Sequence, residues 1–260
     1  MKLILTHDLF KKIETVALSC KSIGDKNPLC CFVTKNEFII QMKEMKLGRS
    51  FLDARYDKSE FISFEVEDED DDYAISFEIK ANDLCSSVDK MDVSWTIRVD
   101  KNNVLFKQEQ TNDGDVLRKR QIIVPFAHNL KIVEIAVPTD SISNVCVRSK
   151  YMLNEIKALG NCCATFNITS PDHLSISSTT ESIASMVMIP IEEIGELYGK
   201  PTPVDECNEV VDIKYLIKIL TKLKPKYKTM NILIPTDTKH PICVRFGDHV
   251  SYYMVRRLIV

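Results

Sequence analysis

The chain has 260 residues, and its 45% apolar content can fill the cores of one or two domains. A formal net charge of −3 excludes a strongly basic protein, and no apolar run approaches the roughly 20 residues of a membrane span. The nine cysteines show no CxxC spacing, and no signal peptide is predicted. We therefore interpret the cysteines as reduced apolar fillers in a cytosolic or nuclear protein.

Four amphipathic helices are predicted from apolar residues at helical spacing. In chain order they are Asp8–Cys20, Asn82–Met91, Lys150–Leu159 and Asp212–Lys224. Their predicted buried positions are Leu9, Ile13, Val16, Ala17 and Cys20; Leu84, Val88 and Met91; Leu153, Ile156 and Leu159; and Ile213, Leu216, Ile217, Leu220 and Leu223. Gly160 is the expected C-terminal cap of the third helix.

Short segments rich in Val, Ile and Phe lie between the helices and predict antiparallel strands. They are Cys30–Thr34, Glu37–Met42, Arg49–Tyr56, Phe61–Glu65, Tyr73–Ile79, Val93–Val99, Asn103–Gln108, Val116–Ile123, Ser141–Arg148, Cys162–Ile168, Leu174–Ser178, Ser185–Ile191, Thr229–Pro235, Pro241–Phe246 and Ser251–Arg256. Val93–Val99 and Asn103–Gln108 are predicted to form a hairpin around Asp100–Asn102. The run Glu65–Asp72 contains seven acids and predicts a solvated turn; without these acids, the rest of the chain has a formal charge of +4.

The chain reads as two copies of one module at an offset of 132 residues. Cys30-Cys31 recurs as Cys162-Cys163, and Asn82-Asp83-Leu84 recurs as Lys214-Tyr215-Leu216. We therefore predict an α+β duplication with domains at 1–123 and 141–260. Between them, residues 124–140 are apolar and bounded by prolines, unlike a flexible linker, and predict an extended, docked connector.

Each predicted helix carries lysine on its polar face. In the last helix, like charges follow one another every four residues with no acid between them, which is unfavourable for an isolated helix. Lysines that contact phosphates without reading bases give salt-dependent, sequence-independent DNA binding. The candidate DNA-binding residues are Lys11, Lys12, Lys21, Lys90, Lys157, Lys214, Lys218 and Lys222.

Enzyme signatures such as GxGxxG, GxxxxGK[ST], GxSxG and HExxH are missing, and the five histidines are scattered. We predict no enzyme activity, no cofactor and no metal site.

Three segments resemble sliding clamps of the proliferating cell nuclear antigen type. They are Leu9–Lys21 with its paired lysines, Leu130–Ile156 as connector, strand and helix start, and Ile213–Ile259 as the last helix and strands. The connector ends in Ile135-Ala136-Val137-Pro138, and Tyr252-Tyr253 precedes the apolar–x–basic–apolar ending Val255-Arg256-Arg257-Leu258. The sequence departs from the family at Arg256, where the family has proline, and at Ala127-His128-Asn129, which lacks the usual acidic character.

This resemblance implies a DNA clamp fold in which two similar domains, each with two helices on antiparallel sheets, form part of a pseudo-sixfold ring around duplex DNA. It implies a clamp loader, DNA polymerase and other clients as partners, either self-assembly into a homotrimer or two related subunits, and no membrane. Clients would dock short apolar-aromatic peptides under the connector. The pocket residues implied by position are Met42, Ile135, Val137, Pro241, Val255 and Leu258.

The leading hypothesis is a polymerase processivity clamp in the nucleus or in a viral replication compartment. Within the same fold, a subunit of a heterotrimeric DNA-damage checkpoint clamp or a viral clamp-like replication or transcription factor stays open. From another class, the chain is an α+β protein-interaction module whose lysines are simply solvated.

Overall fold

The structure, a computed structural model, describes residues 1–23, 28–43, 50–66, 75–84, 93–100, 103–112, 115–127, 130–136, 142–160, 163–170, 172–179, 184–194, 209–237 and 239–258. Several predicted features lie outside these residues: most of the acidic run Glu65–Asp72, the later part of the second helix, Lys90 and Val137. Within the described ranges, no helix is long and apolar enough to cross a membrane.

The chain divides into two compact units, Met1–Met42 with Asp53–Val133, and Lys43–Leu52 with Glu134–Val260. The change of unit after Val133 lies inside the predicted connector. The grouping of Lys43–Leu52 with the second unit is a tertiary feature that no sequence pattern indicated.

The first unit contains two antiparallel sheets and two helices. Its elements are β1 (Lys2–Leu5), α1 (His7–Ile23), β2 (Leu29–Val33), β3 (Glu37–Lys43), β4 (Ser50–Asp57), β5 (Phe61–Glu65), β6 (Ile75–Ile79), α2 (Ala81–Leu84), β7 (Val93–Asp100), β8 (Asn103–Asn112) and β9 (Asp115–Pro125). One sheet has the order β5-β1-β7-β8-β9, and the other strands are ordered β4-β3-β2-β6. The predicted hairpin around Asp100–Asn102 is confirmed, because Asp100 pairs with Asn103.

The second unit repeats this plan. Its elements are β10 (Ile142–Arg148), α3 (Ser149–Ala158), β11 (Cys163–Ser170), β12 (His173–Thr179), β13 (Ala184–Pro190), β14 (Glu193–Ile194), β15 (Glu209–Asp212), α4 (Lys214–Leu223), β16 (Thr229–Pro235), β17 (Ile242–Phe246), β18 (Val250–Met254) and β19 (Arg257–Leu258). The sheets are ordered β14-β10-β16-β17-β18 and β13-β12-β11-β15-β19.

The two units share both the order of their elements and the neighbours of their strands, which confirms the predicted α+β duplication. The single offset of 132 residues is wrong at the N-terminal end of the modules. Lys2 of β1 and Ile142 of β10 are 140 positions apart, whereas Ala81 of α2 and Lys214 of α4 are 133 apart. The offset shrinks mainly because α1 has 17 residues and α3 only 10. The short strands β1, β14, β15 and β19 were not predicted.

The helices bury the apolar stripes that the sequence predicted, with one correction. All five predicted core positions of α1 and all three of α3 are buried, and Gly160 has the positive φ of 66° expected of a helix cap. In α4, the prediction that Ile217 is buried is wrong, because Ile217 is half-buried while Ile219 is fully buried. The helix begins two residues later than predicted, and its stripe is centred on Leu216, Ile219, Leu220 and Leu223.

Aromatic packing fixes α1 to the sheet of its own unit. The rings of Phe10 and Trp95 stack with centroids 4.8 Å apart, and Trp95 meets Phe106 edge-on at 6.4 Å. All three side chains are almost completely buried. Because Trp95 is the only tryptophan of the chain, its fluorescence reports on this contact.

Replacing Phe10 by alanine is expected to lower the free energy of unfolding by about 3–5 kcal/mol, since the change leaves a cavity beside Trp95. Urea titration followed by Trp95 fluorescence measures this loss. Ile62→Ala is the matched control, because Ile62 is 67% exposed and its truncation should stay within about 0.5 kcal/mol of the wild type. Equal losses in the two variants would contradict this packing.

Candidate DNA-binding face and connector pocket

Helix α4 carries a row of cations opposite its buried stripe. Lys214 and Lys222 are exposed, and Lys218 is partly covered with its Nζ 5.6 Å from the centre of the Tyr215 ring. Just before the helix, the Asp212 carboxylate accepts a hydrogen bond from the backbone N–H of Lys214 at 3.0 Å. Within the described ranges, no carboxylate forms an ion pair with Lys214, Lys218 or Lys222. This face therefore offers three charges to an external anion.

The basic row continues past the end of α4. Lys224, Lys226 and Lys228 are exposed in the turn to β16. The turn is ordered by Tyr227, whose ring lies so close to Gly247 that a Cβ there would be 3.2 Å from it. Sequence reasoning noted Lys224 but missed the other two, although the alternation Lys-Pro-Lys-Tyr-Lys was a visible signal.

Helix α3 packs beside α4 in the same unit and adds further exposed lysine. Lys157, a predicted site residue, is exposed, and so is Lys150 at the other end of the helix. The backbone N–H of Ser149 donates to the carbonyl of Lys228 at 2.9 Å, so the start of α3 adjoins the basic turn. The second unit thus brings Lys150 and Lys228 close together, a pairing that the sequence did not indicate.

Two lysines of α1 have acidic partners. Lys11 pairs with Glu14 at 3.0 Å, and Lys12 pairs with Glu60 at 3.0 Å. Lys21, the third predicted residue of this helix, is exposed, and none of the carboxylates in the described ranges forms an ion pair with it. Partly exposed ion pairs of this kind contribute at most about 1 kcal/mol to stability, so another anion can replace the carboxylate. While the pairs are formed, they reduce the positive electrostatic field of α1. The described lysine faces of α1 and α4 therefore differ, because Glu14 and Glu60 partly neutralise that of α1.

The connector begins as a docked segment, as predicted. Phe126 forms a bridge with Phe77 of β6, and the N–H of Ala127 donates to the carbonyl of Ser76 at 2.9 Å. The Ser76 hydroxyl in turn donates a hydrogen bond to the carbonyl oxygen of Ala127 at 2.6 Å. These contacts belong to the first unit.

In the second unit, the connector contributes Ile135 to an apolar cluster. Ile135 packs against the buried side chains of Phe51, Ile142, Leu233, Cys243 and Tyr253. Phe51 and Tyr253 are themselves in ring contact at 6.1 Å. Sequence reasoning missed all five of these supporting residues, because only the fold brings them together.

The predicted pocket residues have unequal access to solvent. Val255 is 44% exposed, and Pro241 and Ile135 are half-buried, so these three can contact a ligand. Met42 is 1% exposed in the core of the first unit, where it can support a surface but offers almost none of its own. Leu258 lies in β19, and Val137 lies outside the described residues.

Arg256, which stands at the family's proline position, is held by the backbone. Its Nη2 donates to the carbonyl of Pro235 at 2.5 Å.

Burial raises the pKa of the Cys243 thiol in β17 to about 11, so this thiol is protonated at neutral pH and unsuited to act as a nucleophile. Among the described residues, no group of three or more His, Cys, Asp or Glu side chains could hold a metal ion.

No protein-family model matches the chain, and no curated protein matches it by sequence. Solved structures match it over its whole length. A chain of the PCNA2–PCNA3 complex from Sulfolobus tokodaii has a TM-score of 0.72 and 14% identity, with 99% of both chains covered. PCNA from Thermococcus kodakaraensis has a TM-score of 0.71 and 12% identity, with 98% of this chain and 99% of that chain covered. Identities this low establish the fold: the chain has the fold of PCNA-type sliding clamps.

Changing Lys214, Lys218 and Lys222 together to Glu is expected to abolish binding to a labelled DNA duplex, since each contact contributes about 0.9 to the slope of log affinity against log salt. Milder Lys→Ala changes should lower that slope by up to about 2.7, measured by fluorescence anisotropy across a salt series. Lys80, Lys131 and Lys239, all exposed and outside α3 and α4, provide the charge-matched Glu control. Equal weakening by the two sets would show that only net charge matters.

Proposed function

We propose that this chain is a subunit of a sliding clamp that encircles duplex DNA and tethers replication or repair proteins to it. The observation that carries the proposal is the clamp fold over the whole chain together with the lysine row of α4, with which no carboxylate of the described residues forms an ion pair. Lysines in a row contact phosphates at any sequence, so the protein can slide while it stays bound.

A polymerase processivity factor is the form of this function that we favour, acting in the nucleus or in a viral replication compartment. Its partners would be duplex DNA, a clamp loader, and a DNA polymerase with other clients that bind through short peptides. A checkpoint-clamp subunit or a viral clamp-like factor would use the same fold with different partners. One of the matched structures is a complex of PCNA2 with PCNA3, which supports assembly from related copies.

Two strand edges support assembly between copies of the chain. β9 and β13 each end their sheet, and a terminal strand presents backbone groups that can pair with another chain. Both carry exposed apolar side chains: Ile123 in β9 is 62% exposed, and Met186 and Met188 in β13 are 55% and 47% exposed. We propose that β9 of one copy pairs with β13 of the next, which closes a homotrimer head to tail.

Light scattering across a dilution series tests this assembly. The expected mass is about three times the 29.7 kDa chain at every concentration. Met186→Lys with Met188→Lys should reduce the mass to that of one chain, because charges would be buried against β9. Ile62→Lys, at an apolar position of β5 that is 67% exposed, is the control and should leave the trimer intact. A wild-type monomer would contradict the homotrimer and favour related subunits, which a pull-down would identify.

The connector cluster supports the second half of the function, the capture of client peptides. A display library of random 12-residue peptides, selected on the wild-type protein, is expected to yield apolar and aromatic sequences. Val255→Asp should weaken the selected peptide at least about tenfold, since it places a charge on the exposed apolar surface beside Pro241. Affinity is measured by fluorescence polarisation.

Ile194→Asp provides the matched control, because Ile194 is 40% exposed in β14 and lies outside the Ile135 cluster. If Val255→Asp leaves the affinity of the selected peptides unchanged, these peptides bind elsewhere on the protein.

A further inference from the structure

Gln41 is a buried polar residue with apolar neighbours on both sides in β3. β3 reads Glu-Phe-Ile-Ile-Gln-Met-Lys, and Gln41 is 2% exposed between the buried Ile40 and Met42. A buried amide is unfavourable unless its donors and acceptor are satisfied. Its hydrogen bonds therefore indicate why an amide occupies this position.

The Gln41 side chain bonds one peptide unit of the connector from two sides. Its Nε2 donates to the carbonyl of Val133 at 2.9 Å, and the N–H of Val133 donates to its Oε1 at 3.0 Å. This is the pair of bonds that a neighbouring strand would exchange with Val133. Val133 itself lies in the segment 130–136, which belongs to no strand. The Gln41 side chain therefore provides the hydrogen-bond partners that the backbone of a neighbouring strand would otherwise provide.

Two charged residues fix the orientation of the Gln41 amide. Asp53 Oδ1 accepts the second Nε2 hydrogen of Gln41 at 3.0 Å, and Arg55 Nε donates to Asp53 Oδ2 at 2.9 Å. Arg55 also forms an ion pair with Glu37, with its Nη1 3.7 Å from Glu37 Oε2. A flipped amide would place its oxygen against the Asp53 carboxylate and its NH₂ against the Val133 N–H. The arrangement thus admits one orientation, the one that matches Val133.

We propose that Gln41 is the positioning residue of the connector: it pins the backbone of Val133, which restricts the backbone of Ile135, two residues later, and thereby the surface that Ile135 offers to a client peptide. The part concerning the peptide rests on the proposed function. The exposed side chain of Val133, 47% accessible, shows that the segment is held here through its backbone and not by burial of its side chain.

Hydrogen exchange at the Val133 amide tests the pin directly. Gln41→Met keeps the volume of the buried side chain but removes all three bonds, so the exchange of Val133 should become at least about tenfold faster. Asn82→Ala, at an exposed amide of α2 outside the proposed interfaces, is the control and should leave that exchange unchanged. The urea midpoint of each variant establishes that it is folded. Equal exchange of Val133 in Gln41→Met and wild type overturns the inference.

Gln41→Glu adds a readout that a purely space-filling residue would not show. Protonated, the carboxyl group can still donate to the Val133 carbonyl and accept from its N–H, whereas the carboxylate has no donor and faces Asp53. Asp53 and Arg55 on β4 and Glu37 on β3 are the other charged groups around it. Protection of Val133, corrected for intrinsic exchange, should return as the pH falls. A flat profile with no protection at any pH contradicts the role of the bonds.

Peptide affinity completes the test. The peptide selected on the wild-type protein should bind Gln41→Met about tenfold more weakly, and should bind Asn82→Ala with wild-type affinity. Faster exchange of Val133 with unchanged peptide affinity overturns the positioning role. If selection on the wild type yields no binding peptide, the client-binding part of the proposed function fails, and the exchange experiment alone decides whether Gln41 pins the connector.

Discussion

The burial of one apolar stripe on each long helix is the constraint on which the rest of the structure depends. α1 contacts α2 and β7, and α3 contacts α4, β10 and β13, so each helix has one face committed to its unit. A helix that buries one stripe must expose the opposite one. The exposed stripe is free to vary in charge without changing the fold, and this is where the lysines lie.

The duplication shows how far that freedom extends. The two units have the same order of elements and the same sheet neighbours, yet their basic faces differ. Lys11 and Lys12 have acidic partners in Glu14 and Glu60, whereas Lys214, Lys218 and Lys222 show no such partner within the described residues. A shared topology therefore does not imply a shared electrostatic role. In a clamp built from such chains, we expect the second unit to provide most of the attraction for DNA.

The backbone of the connector obtains hydrogen-bond partners from side chains of the first unit. A segment that joins no sheet must still satisfy its N–H and C=O groups when it lies against the protein. Here Ser76 and Gln41 supply side-chain partners at two points, and Ile135 supplies an apolar anchor. The described part of the connector is thus attached through individual side chains, and Val255 of the second unit stays 44% exposed.

The sequence by itself determined the elements that follow from local periodicity. The stripe of α1, the cap at Gly160 and the hairpin at Asp100–Asn103 could be predicted because each depends on residues close together in the chain. The shift from Ile217 to Ile219 in α4 could not, since the start of a helix decides which residues face the sheet. Only the tertiary structure decided that Glu60 neutralises Lys12, 48 positions away, and that Gln41 binds Val133 across 92 positions. Such pairings depend on which strands become neighbours, and local pattern carries no information about that.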